Sequence, residues 1–185
     1  MTAYIKKSLP TVRRGFTLIE LLIVIAILGV LAVVVLVAIN PVQQLARTRD
    51  AGRISSVTQL GHAVEAYYTS HNGVYPPATG ANSWVTAPPN QVLILSGEIK
   101  QVPSAIAYNV AGKTPCTTNR INNTWCYATG GSSFVVFARL EASTNETSGG
   151  TCNGTNPAYA LYSSTSGRGC VYCAGAQPGA GTSCP

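Results

Sequence analysis

The chain has 185 residues, a formal net charge of +6 and six cysteines. That length allows one domain of ordinary size with an appendage. Lys6, Lys7, Arg13 and Arg14 precede every acid; without those four, eight Lys/Arg face six Asp/Glu. The basic character is therefore a property of the N-terminus, and nucleic acid is not an expected partner of the folded part.

The first predicted element is an apolar helix from Phe16 to Ile39, in which Glu20 is the only charge. At ~1.5 Å per residue it spans ~36 Å, enough to cross a hydrocarbon core of ~30 Å. A cleaved signal peptide would have a shorter core and a small-x-small cut site, and "VAINP" is a poor one. A permanent anchor explains the length but has no use for Glu20. The remaining reading is cleavage ahead of the helix, which then stays in the mature chain. Thr17-x-x-Glu20 also has the pattern of a capping box, with an acid placed to suit the helix dipole.

The junction "RRG" followed by "FTLIELLIVIAILGVLA" resembles the leader of type IV prepilins and type II secretion pseudopilins. The resemblance implies a peptidase cut between Gly15 and Phe16 and N-methylation of Phe16. It also implies that Glu20, the fifth residue after the cut, faces the Phe16 amine of a neighbouring subunit and sets the axial register, with Thr17 beside it. A lipid-facing carboxylate is costly, ~2.5–3.5 kcal/mol for Asp at mid-membrane, and usually functional. Gly29 stands at another family glycine. Many type IV pilins have proline where this chain has Val37; here the nearest is Pro41, so a kink or loosening is expected later than usual. The span is rich in β-branched residues, which lowers helix propensity between Gly29 and Pro41 and makes that interval a candidate for local melting in a filament.

Behind Pro41, Ile54, Val57, Leu60 or Gly61, Val64 and Tyr67 or Tyr68 recur at helical spacing and predict one apolar face. The arginines before them, Arg47, Arg49 and Arg53, are expected to be solvated or to face neighbours. They leave the positive-inside bias at four to three; the leader is nevertheless assigned to the cytoplasm, because the cysteines need the other side. Asn72-Gly73 and Pro76-Pro77 stop the helix. Residues 78 to 91 read as a loop with Trp84 as a packing anchor. "QVLILSGEIKQVPS" predicts a short buried helical turn ending at Gly97, then an extended piece. "TWCYAT", a Gly130-Gly131-Ser132 turn and "SFVVFARLE" predict a β-hairpin, and "AYALYS" a third strand. Residues 142 to 157 and 174 to 185 read as surface loops. The Asn-x-Thr sequons at Asn122, Asn145 and Asn153 are likewise expected to be exposed.

Cys116, Cys126, Cys152, Cys170, Cys173 and Cys184 follow a membrane-targeting segment and are expected as disulfides. Cys170-x-x-Cys173 has zinc-like spacing, but no second such pair accompanies it and His62 and His71 are distant. Cys116 with Cys126 closes a local loop. The other four allow three pairings, of which Cys152–Cys170 and Cys173–Cys184 are favoured because each is local. After Glu98 the only acids are Glu141 and Glu146, too few for a dedicated calcium site. No HExxH, GxSxG or phosphate-binding glycine loop appears, so neither catalysis nor a cofactor is expected.

The expected fold is α+β: a long N-terminal helix, half membrane-spanning and half amphipathic, packed on a small antiparallel sheet. The expected organisation is a leader over 1–15, a membrane or filament-core helix over 16–40, an amphipathic helix over 41–72 and a disulfide-tied head over 73–185. The resemblance implies a type IV pilus subunit, held in the inner membrane and then polymerised with copies of itself and other pilins after prepilin peptidase processing. A secretion pseudopilin, and a minor pilin acting in adhesion or DNA uptake, remain the alternatives.

Overall fold

The computed structural model describes residues 15–81, 83–86, 89–116, 121–147, 151–154 and 156–185. Lys6, Lys7, Arg13, Arg14 and the head cation Arg120 lie outside them. The chain divides into two compact units, one ending at Asn40 and one running from Pro41 to Pro185.

In the first unit, α1 covers Leu18–Ile39, 22 residues with no buried side chain. It is long and apolar enough to cross a membrane. Its backbone groups bond internally, the one arrangement of a lone segment that lipid tolerates. Gly29 lies inside it, with nothing within 4 Å of the place a Cβ would occupy. The helix is interrupted at Asn40, which takes the left-handed conformation (φ 46°, ψ 78°). Pro41 disfavours helical backbone at the residue before it, and asparagine tolerates left-handed backbone better than most. The break falls beside Pro41, where a kink or loosening is expected, and α1 is followed by α2, Pro41–Ser70.

In the second unit α2 packs on an antiparallel meander: β1 (Ile121–Asn122), β2 (Trp125–Thr129), β3 (Phe134–Arg139), β4 (Ala158–Ser163) and β5 (Arg168–Cys173), in spatial order of sequence. The hairpin turn brings Thr129 opposite Phe134, with Gly131 at φ 85°. One sheet face presents Tyr127, Phe134, Val136, Ala138, Ala160 and Tyr162, and packs with Val57, Leu60, Ala63 and Val64 of α2. The opposite face carries Cys126, Ala128, Val135, Phe137, Tyr159 and Leu161, covered with Cys116, Cys170 and Tyr172. Both faces are buried, so β2 to β4 read as nearly continuous apolar runs rather than as an alternation.

Trp84 is fully buried, stacks on Tyr127 and donates its Nε1–H to the Trp125 carbonyl at 3.3 Å. The short α3 (Val92–Leu95) is capped by the buried Gln91 side chain, which accepts from the Leu93 and Ile94 N–H groups. Gly97 follows at φ 84°.

Three expectations about this unit are corrected. Ile54 is 37% exposed, and its place toward the core is taken by Arg53, which is fully buried. Asn122 is buried rather than displayed: its Nδ2 donates to the Trp84 and Thr86 carbonyls at 2.8 and 3.0 Å. Ala142 and Cys152, in a segment expected at the surface, are buried as well.

The disulfides join Cys116 to Cys126, Cys152 to Cys173 and Cys170 to Cys184. The favoured Cys152–Cys170 and Cys173–Cys184 pairs do not form. Cys170 and Cys173 both lie on β5, three residues apart, so they point to opposite faces of the sheet. Cys173 joins the α2 side, where Cys152 is buried, and Cys170 the other, where it meets Cys184 of the C-terminal tail.

Candidate processing and assembly site

The start of α1 is built on a capping box. Thr17 is extended (φ −82°, ψ 151°), and its Oγ1 accepts from the Glu20 N–H at 3.3 Å. The Thr17 N–H and hydroxyl both donate to Glu20 Oε2, each at 2.8 Å. This satisfies donors that a helix start leaves unpaired. Glu20 Oε1 takes no hydrogen bond among the described residues. Phe16 precedes the cap and is 81% exposed; Gly15 has nothing within 4 Å of its would-be Cβ. The site therefore offers an open Gly15–Phe16 bond one turn ahead of a carboxylate with one oxygen unused.

A second polar constellation, in the head, was missed by reading the sequence. Arg53 is fully buried and donates through Nη1 to Asp50 Oδ1 and to Glu141 Oε2, both at 2.9 Å. Its Nη2 donates to the Ala107 carbonyl at 2.9 Å, and its guanidinium lies 4.0 Å from the Tyr108 ring centroid. Asp50 accepts from the N–H groups of Glu141 and Ala142, both at 2.8 Å, and from Asn145 Nδ2. Glu141 takes Arg49 Nε at 2.7 Å and the N–H groups of Asn109 and Val110 at 2.5 and 3.0 Å. Thus α2 is tied to residues 107–110 in the extended segment after α3 and to the turn leaving β3. Glu146 extends the ties by pairing with Lys113 and Arg139.

The arginines expected to be solvated are in part this anchor: Arg49 and Arg53 are committed to it, and Arg47 alone is exposed. The sequence signal was the Asp50-x-x-Arg53 spacing, one helical turn on one face. Burial pushes the Glu141 carboxyl up, but the hydrogen bonds from Arg49, Asn109 N–H, Arg53 and Val110 N–H outweigh it and hold the pKa below the ordinary value. Burial pushes the Tyr108 hydroxyl up to about 12.

The prokaryotic N-terminal methylation motif family matches residues 11–36. Two proteins of Neisseria gonorrhoeae, each named type IV major pilin protein PilE1, are 38% identical to the chain over 87 residues, 44% of its length and 47% and 43% of theirs. The chain thus matches less than half the length of these curated relatives. No solved structure matches it. The chain thus carries a prokaryotic N-terminal methylation motif that runs into its apolar helix, and over 87 residues it is similar to type IV major pilins.

Proposed function

We propose that the protein is a structural subunit of a type IV pilus filament. The observation that carries this is α1: 22 residues with no buried side chain and Glu20 as their one charge, most of them within the matched methylation motif. Such a surface is stable only in lipid or among other apolar helices. Prepilin peptidase cuts between Gly15 and Phe16 on the cytoplasmic side of the inner membrane, and Phe16 is methylated. The new Phe16 amine of one subunit meets Glu20 of another. Glu20 Oε1 takes that cation while Oε2 keeps the Thr17 cap, so register and helix start do not compete. The relatives named as major pilins support a pilus over a secretion pseudopilus. No enzymatic role is proposed.

Mass spectrometry of the mature protein is expected to give N-methylated Phe16 as its terminus, and Gly15→Val to retain the leader. Glu20→Ala is expected to be inserted and processed but to assemble poorly. A mature terminus after Ala38, or normal filament yield from Glu20→Ala, would overturn the processing and register parts respectively.

A further inference from the structure

A cavity of about 260 Å³ lies between the end of α2 and α3, lined by Tyr67, His71, Pro77, Val92, Leu95 and Ser96. It is smaller than the ~300–1,000 Å³ of typical small-molecule sites and suits one long side chain. Its walls are half apolar, with Leu95 55% exposed. Tyr67, His71 and Ser96 give its lining polar atoms, and Ser70 and Glu98 adjoin it through His71. The Ser70 hydroxyl donates to Glu98 Oε1 at 2.7 Å, and its oxygen lies 2.9 Å from His71 Nδ1. His71 Nδ1 is also 3.1 Å from the Tyr67 carbonyl, which can only accept, so Nδ1 carries the proton and Nε2 is an acceptor. His71 is held flat against Tyr67, ring centroids 3.8 Å apart. Glu98 makes no ion pair among the described residues, although three of the other head acids, Asp50, Glu141 and Glu146, are paired. Two acceptors beside an aliphatic wall call for a cationic donor on an aliphatic stem, a lysine or arginine side chain.

We propose that this cleft receives Arg47 from a neighbouring copy of the chain. The proposal rests on the filament reading above and adds the head contact. Arg47 is exposed on α2 and has no carboxylate partner among the described residues; it makes only a 3.4 Å hydrogen bond from Nε to Thr144 Oγ1. Ile54, two turns further on the same helix face, supplies an exposed apolar neighbour. Arg47 and the cleft stand near opposite ends of α2, roughly 35 Å apart at ~1.5 Å per residue. Between copies held parallel, as subunits inserted in one membrane are, a contact between two patches so separated is heterologous and propagates. Lys100, two residues from Glu98, would give the opposite result, because Lys100–Glu98 pairs between two copies are self-complementary.

The test is charge reversal in full-length protein in cells, with sheared filaments and membrane-held subunits measured separately. Arg47→Glu and Glu98→Arg are each expected to lower filament yield by about tenfold, as like charges then meet across the contact. The double variant is expected to recover most of it. Lys100→Glu is expected to assemble as wild type, and unchanged membrane levels with intact disulfides show that each variant folds. Wild-type yield from either single reversal, or no recovery in the double, overturns the proposal while leaving the filament reading in place. Loss of assembly in Lys100→Glu alone overturns it in favour of a closed contact. Absence of wild-type filaments defeats both readings together.

Discussion

Gly61 of α2 sits directly on the ring of Tyr162 in β4: a Cβ at Gly61 would lie 2.1 Å from Tyr162 Cγ and 2.3 Å from Cδ1. Tyr162 is buried, stacks with Phe134 and holds His62 edge-on, so the ring has nowhere to go. The helix approaches the sheet closely because one residue lacks a side chain.

Gly61→Ala is therefore expected to destabilise the head despite the better helix propensity of alanine. The propensity gain is ~1 kcal/mol, and overpacking costs ~1–3 kcal/mol or more where the obstacle cannot yield. Gly52→Ala on the same helix is the control. Its Cβ would meet only the flexible end of Ile106, at 3.1 Å, so the propensity gain is expected to survive. Thermal melts of the detergent-solubilised chain should show Gly61→Ala lowered by several degrees and Gly52→Ala equal to or above wild type.

The Glu141 anchor predicts acid sensitivity. Its carboxyl, like that of Glu146, is held below its ordinary value despite burial. A lowered folded-state pKa contributes stability that is present above the unfolded value, ~4.3, and is lost as pH falls through the folded one. Melting temperature should thus drop below about pH 4. Glu141→Gln should flatten that drop and cost ~3–5 kcal/mol at neutral pH, because Arg49 and Arg53 lose a buried partner. An unaltered acid slope in this variant would remove Glu141 from the account.

Non-reducing peptide mapping should recover Cys116–Cys126, Cys152–Cys173 and Cys170–Cys184 linked peptides and no others. Each bridge should be worth ~2–4 kcal/mol, mainly through the unfolded chain. Replacing Cys116 and Cys126 together with serine should lower the head's melting temperature and leave cleavage at Gly15 unaffected.

In a filament, neighbouring chains can take up backbone groups that lipid forces into α1. Loss of helical density is expected somewhere from Gly29 to Pro41 in the filament but not in the membrane-held subunit. A filament map with an unbroken helix across that interval would rule it out.

Local chemistry determined what the sequence alone made plain. An apolar run with one carboxylate, the Thr17–Glu20 cap, the Asn72-Gly73 stop and the glycine turn before Phe134 each depend on residues a few positions apart. Tertiary structure decided the rest. β5 carries no strong strand signal and exists by pairing with β4; β1, two residues long, exists by pairing with β2. The position of Cys170 and Cys173 on that strand sends them to opposite faces and so selects their partners, which loop length alone could not do. Arg53 is buried because Glu141, 88 residues away, arrives to meet it. A charge read by itself belongs in water; only the fold brings its counter-charges and carbonyls close enough to offset the cost of leaving it.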